Sequence, residues 1–558
     1  MKHSLVVAIA TASILLSAGG GAAAPSRSAS VIVIWRIAAP QSTDPSVQAV
    51  EAGVVAVNLV APQLAALSRH PSAKITLALD PVFVASLEKA AAGDSALSAT
   101  AAGQVGANDA RATQLLDVFS ADVVPSSSVV ASPVGRRFIS DASAARLALM
   151  GDPAAHFSQR DDADFAARAI LLSLASNGYA GDHAGLLQKS ALTNHDLQVL
   201  GIAFARACRD VLDKLKRAAA QGSVELAVLP AYEPIMPLII NAGGRTRQVP
   251  YTVNLNAAND VGYAVDEGMR AVQALAPNQG APGVLAPSGA YDDETAVLLQ
   301  THRAAYAVFS ERVVKANAGA SATAVSDVHS AAFHAYLLET SKTAKLPILF
   351  CSDTTSIALD AQPPSAPASA FADRLGSAVS AALAVSPAST PTVVAVCLNG
   401  NGAVLRRSDR SLVLEKLVSF LSSAQSMRAA APKDYLREHP PTLETYGYAP
   451  GSDAGGFDLW MGSANQMSLW NALADARKAA GGDGALAKEA VRSALLRAES
   501  GLWYLSLALP QPRYLTDQSL SRFRSFIADI YRGAGKTVPV DIAPVRLETP
   551  APVGIPGR

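Results

Sequence analysis

The chain lacks several things that would mark common classes of protein. It has three cysteines in 558 residues, Cys208, Cys351 and Cys397, too few for a disulfide framework to be its main stabilising device. Cys208 lies in a helical pattern and the other two in or beside apolar runs. They read as buried free thiols, with a Cys351–Cys397 pair open only if their strands adjoin. There is no excess of charge: 46 Lys and Arg balance 46 Asp and Glu, so no global field attracts nucleic acid or an anionic membrane, and no nucleic-acid partner is expected. The nine histidines do not cluster, and His329 and His334, five apart, share no helical face; no metal and no cofactor are expected.

Two motif classes are also missing. Gly243-Gly244 and residues 400–402 lack the lysine or the strand-to-helix context of a phosphate-binding loop and read as turns. Pro287-Ser288-Gly289 lacks the preceding glycine of a serine-hydrolase elbow. Beyond the N-terminus no run reads as long and apolar enough to cross a membrane.

What is present begins with an address. Lys2 and His3 precede an apolar run over residues 5–16, followed by small residues including Ala22 and Ala24. Residues 1–24 read as a Sec-type signal peptide, so the mature protein is expected to be exported, periplasmic or extracellular, without an integral span after cleavage. Pro25 leaves the cleavage position open, and a retained N-terminal anchor is the alternative. At 50% hydrophobic content the remaining chain can bury a large core and hold more than one domain.

Buried-strand patterns recur at residues 30–37, 74–79, 224–229, 283–286, 305–309, 347–350 and 392–398, the first an almost continuous β-branched run. Helical patterns alternate with them, notably over 194–220, 260–275, 294–304 and 371–384, and Thr193 is placed to cap the first of these. Such alternation predicts parallel β/α units, hence a barrel or a doubly wound sheet. Residues 91–109 read as a surface insertion or loose helix ends. From about residue 426 amphipathic helices dominate, over 470–480, 484–500 and 519–532, and residues from 543 on read as extended. The expected division is a barrel domain over 25–425 and a helical domain over 426–558.

Loops leaving the carboxyl ends of such strands carry chemistry, and three of them carry carboxylates. Glu233 lies between Pro230, Pro234 and Pro237; Asp292, Asp293 and Glu294 follow the fourth strand; Asp353 follows the sixth. Singly, each has a bland reading as a helix cap or a solvated charge, and Asp292 precedes a helix it would cap. Converging, they would suit glycoside cleavage, which needs two carboxyl groups. Trp35, Tyr232, Tyr291, Trp460, Trp470 and Trp503 could stack on sugar rings or pack in the core.

The order of these segments resembles glycoside hydrolase family 57, the α-glucan-active amylase, branching-enzyme and glucanotransferase group. Gly222-Ser223-Val224-Glu225 through Ala231-Tyr232-Glu233-Pro234-Ile235-Met236-Pro237-Leu238-Ile239 is similar to the family's Gly-Gln-Ile-Glu, strand and Tyr-Tyr-His-Pro-Ile-Leu-Pro-Leu-Leu run. Val57-Asn58-Leu59-Val60-Ala61-Pro62-Gln63-Leu64 is similar to its Asn-Leu-x-Pro-x-Leu segment. Phe457-Asp458-Leu459-Trp460-Met461-Gly462 with Asn465 and Trp470, and Ala498-Glu499-Ser500-Gly501-Leu502-Trp503-Tyr504, are similar to its closing motifs.

The resemblance implies an α/β fold, a seven-stranded (β/α) barrel followed by a helical bundle, and a retaining mechanism with a Glu nucleophile and an Asp acid/base. Residue by residue it implies loss of that chemistry. Leu285-Ala286-Pro287-Ser288-Gly289 puts Ser288 in or beside the nucleophile slot, and Phe350-Cys351-Ser352-Asp353 keeps the acid/base aspartate but loses the arginine. Ala38-Ala39-Pro40 replaces His-Gln-Pro, Glu233 replaces a substrate-binding histidine, and Asn399-Gly400-Asn401-Gly402 replaces Asp-Gly-Glu-Asn.

The expectation is an exported relative, catalytically impaired toward α-glucans, that keeps an oligosaccharide or polysaccharide ligand. Ser288 occupies the nucleophile slot, and Trp35, Tyr232, Asp292, Asn401, Trp460 and Trp503 are the candidate binding residues. One rival is an active retaining or inverting glycosidase using Glu233 and Asp353; another is a non-enzymatic envelope scaffold.

Overall fold

The protein is described by a computed structural model over residues 28–94, 126–149, 159–243, 253–313, 332–339, 345–387, 389–400, 402–425, 427–445, 450–451, 456–509 and 513–543. The signal segment, most of the insertion expected at 91–109, and the residues from 544 on lie outside these.

Ten strands are formed among the described residues: β1 (Ala29–Ile37), β2 (Ile75–Leu79), β3 (Val224–Val228), β4 (Val284–Leu285), β5 (Ala307–Ser310), β6 (Tyr336–Glu339), β7 (Lys345–Cys351), β8 (Val393–Asn399), β9 (Met427–Ala429) and β10 (Leu443–Thr445). Seven of them, β1-β2-β3-β4-β5-β7-β8, pair in parallel in that order, and β8 pairs back to β1. The ring is therefore a closed seven-stranded (β/α) barrel, and its seven strands are the seven read from the sequence. The other three are peripheral. β6 runs antiparallel to β7, β10 pairs with β6, and β9 pairs with the first residues of β1. They are short, and β9 and β10 follow residue 425, in a stretch whose sequence shows no strand pattern.

Alternation along β1 fixes which side chains see the barrel interior. Val31, Val33, Trp35 and Ile37 pack in the large core shared with the helices. Ile32 and Ile34 point inward, against Ala78, Ala227, Leu229, Leu285, Val308, Leu349 and Ala395. Small alanines on three strands suit the narrow bore of a seven-stranded ring. Its amino-terminal end is sealed by the helix Pro432–Glu438: Glu225 accepts hydrogen bonds from the Tyr306 hydroxyl (2.6 Å) and the Lys433 amide (3.0 Å).

The segment Pro45–Arg69 is one continuous helix with a π-helical stretch at Ala56–Val60. Contrary to the sequence reading, it is long and apolar enough to cross a membrane by length and composition. It is instead packed within the helical layer, where Gly53 lies against Phe204 and Cys208 so closely that a Cβ would stand 2.5 Å from the Phe204 ring. The helices Ala464–Ala480, Glu489–Ala498, Gly501–Ala508 and Arg513–Gly533 form the helical part. It is tied to the barrel's helix Ala258–Leu275 by a buried two-point ion pair, Arg477 to Asp260 at 2.8 and 2.9 Å. Losing one partner of such a pair typically costs about 3–5 kcal/mol.

Cys351 and Cys397 are disulfide-bonded, with Cα atoms 5.8 Å apart, which corrects the expectation of free thiols; Cys208 is free and buried, and burial pushes its thiol's proton affinity up. The sequence could not show that strands 46 residues apart adjoin. The bond crosses the seam where β7 meets β8, and the ladder there is a single pair, Cys351 with Ala395. A cross-link closing a loop of this length contributes on the order of 4 kcal/mol in the chain-entropy account. The Cys351→Ser/Cys397→Ser double variant is expected to melt well below the wild type without reductant, and dithiothreitol should lower the wild-type midpoint toward the variant's while leaving the variant unmoved. Equal midpoints for the two oxidised proteins would show that the ladder alone closes the barrel.

Candidate functional site

The site is the mouth at the carboxyl ends of the strands. Because β1 alternates, its next inward residue after Ile34 is Arg36, and Arg36 stands beside Asn399 of β8 in register. β2 is followed by Asp80, β3 by the loop 229–235 and β4 by the turn that carries Ser288; β5 ends on Ser310, and Asp353 lies two residues beyond β7.

The loop after β3 is the most constrained of these. Tyr232 and Glu233 both hold left-handed backbone, φ 59° and 54°, which side-chain-bearing residues adopt only where the surroundings enforce it. Enforcement comes from two sides. From below, the carboxylate of Asp80 accepts from the Tyr232 amide (2.7 Å) and caps its own helix at Val82 (2.7 Å). From the helical part, the Gly501 amide donates to the Glu233 carbonyl (3.2 Å), Pro234 bridges Ser500, and Arg497 Nε donates to the Tyr232 hydroxyl (3.0 Å). Gly501 itself has no room for a side chain, since a Cβ would meet Ile235 at 2.6 Å. The outcome is that Glu233 turns its carboxylate to Arg36, 2.9 Å away. Asp80, fully buried beneath, has its proton affinity pushed well up, first by burial and further by the Glu233 charge.

Ser288 also holds left-handed backbone, φ 54°, in a single 3₁₀ turn over Pro287–Gly289. Next to it Gly289, φ 63°, presses on Ser310, where a Cβ would come within 2.4 Å. Ser310 in turn hydrogen-bonds Asp353 through its hydroxyl, and Arg312 Nε lies 3.6 Å from the same carboxylate. Burial raises the proton affinity of Asp353, the Ser310 hydrogen bond and the Arg312 charge oppose it, and Glu311 adds to it. Glu311 is itself engaged, accepting from the Thr354 amide at 2.9 Å and from its hydroxyl.

A cavity of about 400 Å³ opens in the mouth, lined by Arg36, Glu233, Ser288, Asn399 and Trp460, with Arg406, Glu51 and Arg522 at its sides. Glu233 and Ser288 thus share one cavity; Asp353 does not line it. A larger cavity, about 720 Å³, lies outside the barrel among the helices Met236–Asn241, Ala258–Leu275 and Asp293–Thr301. Of the strand-end carboxylates it contains only Asp293 and Glu294, in the first turn of the helix Asp293–Thr301 and outside the barrel mouth, so the smaller one is the candidate site.

Of the binding residues expected from sequence, Tyr232 and Trp460 line the cavity. Trp35 does not: it is 1% exposed and faces the helices, because odd positions of β1 point outward. Asp292 is fully buried and caps its helix, accepting from the Thr295 amide at 2.7 Å, so its bland reading is the correct one. Trp503 is core: its indole donates to the Arg497 carbonyl at 2.6 Å and its ring packs near Phe526. Asn401 lies outside the described residues. Among those residues no group of His, Cys, Asp and Glu is placed to hold a metal ion.

Sequence reasoning missed Arg36, Glu51, Asn399, Arg406 and Arg522. Arg36 carried a usable signal, a charge at an inward position of an otherwise apolar strand. Asn399 stood in a segment aligned with a family motif but was not singled out, and the others gave no signal, since their convergence depends on tertiary structure.

A closed parallel barrel with a polar mouth partly walled by a C-terminal helical part is the architecture of a class of carbohydrate-active enzymes. Residues 175–446, just under half of the chain, match the model for glycosyl hydrolase family 57, and that region is a domain of the family. The fold is shared with the family's branching enzyme from Thermococcus kodakaraensis (TM-score 0.56, 11% identity, 90% of each chain covered). It is shared too with the branching enzyme from Pyrococcus horikoshii (0.55, 10%, 90% of this chain and 89% of that one). The α-amylase AmyC from Thermotoga maritima is also similar (0.51, 8%, 91% and 93%). At these identities the likeness is one of fold. A search of curated proteins gave no match.

Asp360 gives the mouth a pH response. Its Oδ2 accepts from the Asn399 amide at 3.2 Å while Oδ1 is buried without a partner, and burial lifts its pKa to about 6 against the opposing Asn399 hydrogen bond and Arg36 charge. The folded value lies above that of the unfolded chain, near 4, so folding favours the protonated form. This stabilisation is fully present below about pH 4 and is lost as pH rises through 6. Asp360→Asn is therefore expected to raise the melting midpoint by a few degrees at pH 7.5, with the gain vanishing at pH 4; a gain independent of pH would contradict the assignment.

Proposed function

We propose that the protein is an exported carbohydrate-binding member of the family, of the α-glucan branch, in which ordinary retaining hydrolysis is lost. The observation that carries this reading is the disposition of its carboxylates. Glu233 is held by Arg36, Asp353 is held by Ser310 and does not line the cavity, and the strand end between them offers Ser288. Retaining cleavage needs two carboxyl groups about 5–5.5 Å apart across the bond. A serine hydroxyl does not replace one, because it stays protonated near neutral pH without an adjacent base, and no histidine lines the cavity.

Binding has different requirements, and the mouth meets them: an open volume of about 400 Å³, an aromatic side chain on its wall and several polar groups converging on it. This favours a ligand site over a bare scaffold. The α-glucan assignment follows the shared fold of the branching enzymes and the amylase named above. The export assignment is supported by the leader-like N-terminus and by the paired Cys351 and Cys397, since such bonds persist in oxidising compartments.

The expected result with maltodextrin and glycogen is no reducing-end release above that of an Asp353→Ala variant, together with measurable calorimetric binding of a maltooligosaccharide that Glu233→Gln weakens. Turnover that disappears in both Asp353→Ala and Glu233→Gln would overturn the reading and support a glycosidase working through those two residues. Absence of all saccharide binding would leave the scaffold role.

A further inference from the structure

In the lining of the mouth the carboxylates are engaged, while two buried donors are not. Glu51, 6% exposed, accepts from the Gln41 amide (2.8 Å), the Ser42 amide (3.1 Å) and the Ser42 hydroxyl (3.0 Å). Glu233 is taken by Arg36. On the donor side, Arg36 uses one terminal nitrogen on Glu233, but its Nε–H is buried with no acceptor. Trp460 is 3% exposed, lines the cavity, and its indole N–H has no acceptor either. That N–H lies beside Gly501, where a Cβ would stand 3.3 Å from Nε1. Arg406 adds an exposed guanidinium on the same cavity, and Arg522 a further cationic side chain.

Buried donors without acceptors are rare, because each costs about 1–3 kcal/mol. Three arginines and an indole contribute donors only, against two carboxylates already engaged; Gln41, Ser288, Asn399 and Gln518 line the same cavity with groups that both donate and accept. A neutral sugar hydroxyl is donor and acceptor at once and does not need such a lining. A group that only accepts, and carries negative charge, does.

We propose that the mouth contains a subsite for an oxyanion borne on a sugar unit, a carboxylate or a sulfate, received by Arg406, Arg36 Nε and the Trp460 indole N–H. Guanidinium groups bind such planar or tetrahedral oxyanions through paired, charge-assisted hydrogen bonds. The proposal rests on the reading of the mouth as a carbohydrate site and narrows its ligand from a neutral glucan to an acidic or modified oligosaccharide.

The test is calorimetric titration of the mature protein at low salt with trigalacturonate, sulfated maltopentaose, neutral maltopentaose and inorganic sulfate. At least one acidic oligosaccharide is expected to bind about tenfold or more tightly than neutral maltopentaose, the change that one charge-assisted hydrogen bond brings, and to weaken as salt rises. The carboxylate and sulfate arms distinguish the two sources. Arg406→Gln should reduce acidic-ligand affinity about tenfold while leaving neutral maltopentaose within about twofold, and Trp460→Phe should lower the ratio of acidic to neutral affinity by a similar factor. Arg406 is exposed, so its loss cannot be blamed on misfolding. Equal affinity for neutral and acidic oligosaccharides would overturn the subsite and leave the carbohydrate reading standing. Binding of inorganic sulfate without any oligosaccharide would overturn the sugar as its carrier, and binding of nothing would overturn both, with water as the acceptor of these donors.

Discussion

The backbone of Tyr232 and Glu233 is the constraint on which the mouth depends. Two successive residues with left-handed φ are held between the buried carboxylate of Asp80 and the Ser500-Gly501 segment of the helical part. Only that conformation aims Glu233 at Arg36 across the bore. The helical part is thereby a component of the site as well as a neighbour of it: it supplies Trp460 and Arg522 to the lining and clamps the loop that presents Glu233. Strain at one loop, maintained by contacts from two parts of the fold, is a familiar way of fixing a functional side chain.

The barrel behind that loop was largely legible in the sequence, and the reason is physical. Strands of a parallel barrel are covered on both faces, so they appear as short, nearly continuous apolar runs, as at Val31 to Ile34 or Val393 to Val396, separated by helical periodicity. The peripheral strands gave no such signal, because three or four residues at a sheet edge need not be apolar. The seam was illegible for another reason: a single ladder pair and a disulfide join segments 46 residues apart, and nothing local records that they meet.

The site was legible only where local chemistry was unusual. Glu233 stood out because prolines flank it, and it does line the cavity. Ser288 was found by resemblance and lies in the same cavity. Asp292 looked like a cap and is one, whereas Trp35 and Trp503 could not be separated from Trp460 by sequence, since aromatic residues in core and cleft have the same neighbours along the chain. The parity of β1 decides the matter for Trp35 and Arg36: one faces the helices and the other the mouth. The carboxylates show the same limit. Their residue types suited a two-carboxyl mechanism, but nothing along the chain records their tertiary partners, Arg36 for Glu233 and Ser310 for Asp353.

The central claim is that this mouth receives a sugar without flanking its glycosidic bond with two carboxyl groups. A crystal structure of the protein soaked with a maltooligosaccharide or an acidic oligosaccharide tests it most directly. The account predicts sugar rings against Trp460 and between Arg36 and Ser288, with Asp353 still on Ser310 and out of hydrogen-bond reach of any glycosidic oxygen. Carboxylates of Glu233 and Asp353 about 5–5.5 Å apart on either side of a bound glycosidic linkage would contradict it.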